Sequence, residues 1–136
     1  MNGIIHFEIQ AGDPERAAKF YREVFGWEIH EWIIPGVKMK DENRYWLVTT
    51  RPESEPGING GLVFRQGPAP AEEQPVNAYV CTVGVNDLDK SMNKVLDAGG
   101  SITSPKMPIR GVGWWAKCKD TENNIFGILQ EDKNAQ

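Results

Sequence analysis

Apolar and polar positions alternate along residues 3–11, Gly-Ile-Ile-His-Phe-Glu-Ile-Gln-Ala, and the run ends at Gly12-Asp13-Pro14. This is the pattern of a strand followed at once by a helix start. Asp13 suits the position whose side chain caps the free amides of a first turn, and Pro14 the next one, where its missing N–H costs nothing. Ala17, Ala18, Phe20, Tyr21, Val24 and Phe25 then recur at helical spacing, and Gly26 supplies the left-handed residue that ends the helix. The same pattern returns 74 residues further on. Residues 77–85 alternate, Asp87 stands where Asp13 did, Leu88, Met92, Val95 and Leu96 make a second stripe, and Gly100 aligns with Gly26.

After each predicted helix the sequence favours strands. In the first half these are expected near 27–34, 44–50 and 60–65, with turns at Pro35-Gly36 and across 52–57. In the second half they are expected near 101–104, 113–119 and 124–130, separated by Pro105, Pro108, Gly111 and the polar 120–123. Each half thus reads β-α-β-β-β. Residues 1–65 form module one, the Pro- and Ala-rich 66–76 a linker, 77–131 module two, and the polar 132–136 a tail expected to fray. About 60 residues bury too little surface to stand alone. The expectation is therefore one α+β domain of two tandem modules whose sheets form a shared cup.

Composition narrows the partners. The chain has 136 residues, 40% of them hydrophobic and 25% charged, with 15 Lys plus Arg against 19 Asp plus Glu and a net charge of -4. No cluster of cations offers a phosphate-binding surface, so no nucleic-acid partner is expected. No apolar run is long enough to span a membrane, and the first residues lack a secretory pattern, so the chain reads as cytoplasmic. Cys81 and Cys118 lack metal-type spacing and read as small buried hydrophobes. There is no GxSxG elbow, P-loop or dinucleotide-binding glycine motif.

A duplicated βαβββ module resembles the vicinal oxygen chelate superfamily, which includes glyoxalase I, bleomycin-resistance proteins and extradiol dioxygenases. The likeness is carried by His6-Phe7-Glu8-Ile9 ahead of Asp13-Pro14-Glu15-Arg16-Ala17, and by Phe20-Tyr21-Arg22-Glu23-Val24-Phe25-Gly26-Trp27. In the second half it is carried by Val85-Asn86-Asp87-Leu88, Ala98-Gly99-Gly100 and Asp120-Thr121-Glu122-Asn123-Asn124. The resemblance implies a metal held by one residue on the first strand and one on the last strand of each module, His or Gln first and Glu last. His6 matches the first of these. Val80 stands at the second module's first position, Gly127 where its Glu would be, and Gly61 at the matching place in module one. A catalytic metal needs about three protein ligands, so no metal and no cofactor are expected.

The remaining candidates describe a pocket for a small organic ligand. Alternation puts Glu8 on the strand face of His6, as a hydrogen-bonded pair or an acid/base unit. Val80, Thr82, Ile125, Gly127 and Leu129 are expected to share a roomier, less polar cup with His6, Glu8, Trp46 and Trp115. Ala116 and Cys118 share a face with Trp114 and suit packing under a helix, which leaves Trp115 with Lys117 and Lys119 on the other. Trp27 reads as core, Trp32 as rim and His30 as surface. An aromatic ligand could stack on indole, and a homodimer fits this architecture. The alternative is a lyase, isomerase or dioxygenase using a metal held by His6, Glu8 and further groups.

Overall fold

The computed structural model describes residues 2–75, 79–119 and 125–136, without the side chain of Phe25. The turn at 120–124, residue 124 of the last expected strand, and residues 76–78 of the linker and second module lie outside the described residues. The chain divides into two compact units, residues 6–79 and residues 1–5 with 80–136.

In the first unit, β1 (Ile4–Ala11) leads into α1 (Pro14–Phe25), then β2 (Glu28–Glu31), β3 (Tyr45–Thr49) and β4 (Asn59–Phe64), with one 3-10 turn at Asp41–Asn43. Asp13 caps α1 by accepting from the Arg16 amide at 3.0 Å, and Gly26 ends it with φ 70°. The strands lie in the order β2-β3-β4-β1. β1 runs parallel to β4, and the other two pairings are antiparallel. Phe7, Ile9, Ala11, Ile29, Trp46, Val48 and Leu62 are buried with Ala18 of the helix. The extended run expected at 27–34 is shorter in the structure. Trp32, Ile33 and Ile34 continue β2 in sequence but stay exposed outside it.

The second unit repeats the scheme with β5 (Val80–Gly84), α2 (Leu88–Asp97), β6 (Ser101–Ile109), β7 (Gly113–Lys119) and β8 (Ile125–Glu131), ordered β5-β8-β7-β6. Asp87 caps α2 from the Lys90 amide at 2.9 Å. The left-handed residue after α2 is Gly99, with φ 91°, one before the expected Gly100. Gly100 has a different use, since a Cβ there would sit 2.6 Å from the Lys119 carbonyl. The core is Leu88, Ala116, Cys118 and Ile128, with Trp114 packed against it.

Two further expectations are corrected. β6 does not stop at Ser104 but runs through Pro105 and Pro108 to Ile109. Among the described residues it pairs only with β7, and an edge strand can lack the N–H that proline lacks. The tail does not fray. Ala135 is buried, its carbonyl accepts from Gly111, and Asp132 bonds both the Val112 carbonyl and the Trp114 indole. Both cysteines are free thiols. Cys118 is buried as expected, and burial pushes its thiol up, whereas Cys81 is only half-buried. No helix among the described residues is long and apolar enough to cross a membrane.

Candidate functional site

The first unit's sheet turns one face to α1 and the other away from it. Alternation along β1 puts His6, Glu8 and Gln10 on the face away from the helix. Strand register places Gly61 directly beside Glu8 and Leu47 directly across from Gly61. Tyr45, two residues before Leu47, therefore reaches diagonally over the glycine. A Cβ on Gly61 would overlap the Tyr45 hydroxyl, so the ring occupies the space a side chain would fill.

That hydroxyl is 2.7 Å from His6 Nε2. Burial first, and then the adjacent Glu8 carboxylate, hold the phenol far above its ordinary range. Burial lowers the His6 pKa from 6.5, which favours the neutral ring. The His6 and Tyr45 rings stack 6.4 Å apart, and the half-exposed Trp32 meets Tyr45 edge-on at 6.5 Å. The face thus carries a neutral imidazole, a protonated phenol and a carboxyl group beside an accessible indole.

The second unit uses the same device. Thr82 lies beside Gly127, Lys117 opposite it, and Trp115 diagonally over it. A Cβ on Gly127 would lie 2.7 Å from Trp115 Nε1 and 2.8 Å from Thr82 Oγ1. Lys117 Nζ stands 5.8 Å from the Trp115 ring centre, a cation–π distance. The predicted residues Thr82, Trp115 and Gly127 are therefore together. Val80 is half-buried on the strand face of Thr82, and Ile125 is exposed two residues before Gly127.

Trp46 is a correction. It is 1% exposed and faces α1, donating from Nε1 to Glu15 at 2.7 Å under the Arg44 guanidinium. Strand β3 has the opposite phase, so Tyr45 stands where Trp46 was expected. The expected extra room is corrected too, because Tyr45 and Trp115 cover the two glycines. Trp27 is half-buried and stacks on Tyr21 at 5.0 Å, while His30 and Trp32 are exposed. Tyr45 was missed because Tyr45-Trp46-Leu47-Val48 is apolar throughout, which hides the alternation. A glycine facing the carboxylate of a neighbouring strand was the available signal.

Of the four positions at which the resemblance implies metal ligands, His6 alone carries a donor, and its Nε2 meets a phenol. Among the described residues no three of His, Cys, Asp and Glu gather closely enough to share an ion.

Two βαβββ units with a side-chain cluster on the strands define an α+β protein of the paired-module class. The family model of the Glyoxalase/Bleomycin resistance protein/Dioxygenase superfamily matches residues 3–127, and the chain belongs to that superfamily. It is 26% identical over 129 residues to "Putative glyoxylase CFP32" of Mycobacterium bovis and to the protein of that name from Mycobacterium tuberculosis. These matches cover 93% of this chain but 45% of each relative, so the chain spans about half the length of the curated relatives it matches.

Among solved structures, it is similar to a Streptomyces coelicolor methylmalonyl-CoA epimerase variant in complex with 2-nitronate-propionyl-CoA. The TM-score is 0.65 at 16% identity, covering 100% of this chain and 99% of that one. The protein BH1468 of Bacillus halodurans C-125 gives 0.66 at 13% identity, covering 99% and 98%. Methylmalonyl-CoA epimerase from Mycobacterium tuberculosis gives 0.64 at 16%, covering 96% and 88%. At these identities the structures share the fold.

Proposed function

We propose that this protein binds a small organic molecule without a metal, on the His6–Tyr45–Glu8 face. The observation that carries this reading is Tyr45, whose ring takes the place of a side chain on Gly61 and whose hydroxyl engages His6 Nε2. The position aligned with a metal-binding carboxylate is thereby given to an aromatic ring, and Trp115 over Gly127 repeats the substitution. A divalent ion would have to displace the phenol from His6 and find two more donors. An aromatic surface with a few fixed polar groups suits an organic ligand, and a flat one would stack on Trp32 or Tyr45.

The test is elemental analysis of untagged protein from cells grown with added zinc, nickel, manganese and iron. Metal well below one equivalent per chain is expected. Near-stoichiometric metal surviving gel filtration would refute the reading and restore the metal-dependent lyase, isomerase or dioxygenase. Tryptophan fluorescence titrated with aromatic compounds then reads binding, and Tyr45→Ala should weaken it.

A further inference from the structure

The face of the second unit's sheet that points away from α2 gathers donors the chain leaves unused. Thr82 on β5 lies beside Gly127, with Lys117 of β7 opposite it and Trp115 on the diagonal. Thr82 Oγ1 and Trp115 Nε1 each lie within 2.8 Å of the point a Cβ on Gly127 would occupy. One oxygen above the glycine can therefore reach both donors at hydrogen-bond distance. Neither group has a hydrogen-bond partner among the described residues, although Thr82 is only 8% exposed. A buried hydroxyl left in that state costs free energy that a bound acceptor would restore.

Lys117 brings the charge. Its Nζ stands 5.8 Å from the Trp115 ring centre. It makes no ion pair among the described residues, whereas Lys90 and Lys106 of the same unit pair with Asp87 and Asp89. The only acid in strands β5 to β8 is Glu131, which is level with Gly113 at the far end of β8. One ammonium and two neutral donors, with no carboxylate opposing them, match a group with one negative charge and two acceptor oxygens. That group is a carboxylate. Val80, Leu129 and the exposed Ile125 share the face and suit an apolar body behind it.

We propose that this face is an anion site for the carboxylate of a small organic acid, with Thr82 and Trp115 donating to its oxygens and Lys117 balancing its charge. The site is built within the second unit and does not rest on the role proposed for the His6–Tyr45–Glu8 face.

The test is a titration of the ¹⁵N-labelled full chain with benzoate, followed at the indole N–H signals, with Trp115→Phe assigning the one that matters. Benzoate should shift the Trp115 signal saturably, and its neutral counterpart benzamide should bind about tenfold more weakly or worse. Thr82→Val keeps the side-chain shape and should weaken benzoate about tenfold. Lys117→Met keeps the stem over the indole and should bring benzoate down to the level of benzamide. Lys117→Gln repeats the test should the methionine variant not fold, and the wild-type comparison of the two probes decides alone if neither does. Equal binding of benzoate and benzamide, an unmoved Trp115 signal, or an unchanged benzoate affinity in a folded Lys117 variant would overturn the site. Phenyl phosphate binding more tightly than benzoate would overturn the match to a single charge.

Discussion

Gly61→Ala is the sharpest test of the aromatic cover. In an unobstructed strand this exchange stabilises by about 0.5–1 kcal/mol, because glycine loses more backbone freedom on folding. Here the new methyl would overlap the Tyr45 hydroxyl, and Gly61 sits in a buried stretch of β4, so the ring must leave. Forcing a packed side chain aside costs about 1–3 kcal/mol. The hydrogen bond lost to His6 adds about 0.5–1.5 kcal/mol. The net expectation is a loss of about 0.5–4 kcal/mol, against a gain if nothing lay over the glycine.

With a urea dependence of about 2 kcal/mol per molar, the unfolding midpoint should fall by about 0.3–2 M. Intrinsic tryptophan fluorescence reads that transition. In a Tyr45→Ala background the obstruction is gone, and the same Gly61→Ala step should be neutral or stabilising by about 0.5–1 kcal/mol. The two steps are therefore strongly coupled. A raised midpoint in the single variant, or an equal effect in both backgrounds, would refute the account.

Two further outcomes follow. Deleting residues 132–136 removes the hydrogen bond Asp132 accepts from the Trp114 indole, the one its amide donates to the Val112 carbonyl, and the one Gly111 donates to the Ala135 carbonyl. It should cost about 2–3 kcal/mol in the same urea assay, and an unchanged midpoint would show the tail to be idle. Because the folded His6 pKa lies below 6.5, unfolding takes up a proton as the pH falls through that window. The stability His6 contributes is present above pH 6.5 and lost toward its folded value, so the wild type should lose more stability than His6→Gln between pH 7.5 and 5. Parallel losses would count against burial as the cause.

The repeat, the caps at Asp13 and Asp87 and the ending at Gly26 were all legible in the sequence, because each depends on neighbours a few residues away. The phase of β7 was legible too, since Lys117 and Lys119 mark one face against Ala116 and Cys118. β3 has no such marker, and its unbroken apolar run concealed which face Trp46 takes. The ring over Gly61 was hidden for another reason. It depends on a diagonal contact between strands far apart in sequence, and a glycine reads as open space until its neighbour is placed. The tail misled because polar residues that fray and polar residues that tie down an end look alike when their partners, here Gly111, Val112 and Trp114, are distant in sequence.

The prolines of β6 have a consequence beyond local geometry. A strand at the border of a sheet is a template on which another chain can add. Along Ser101–Ile109 that template is defective. Pro105 and Pro108 offer no amide, two register shifts interrupt the pairing with β7, and Lys106 between the prolines is held to Asp89 at 3.0 Å. The second unit's outermost strand is therefore closed to growth by strand addition, and the chain resists fibre-like stacking from that side.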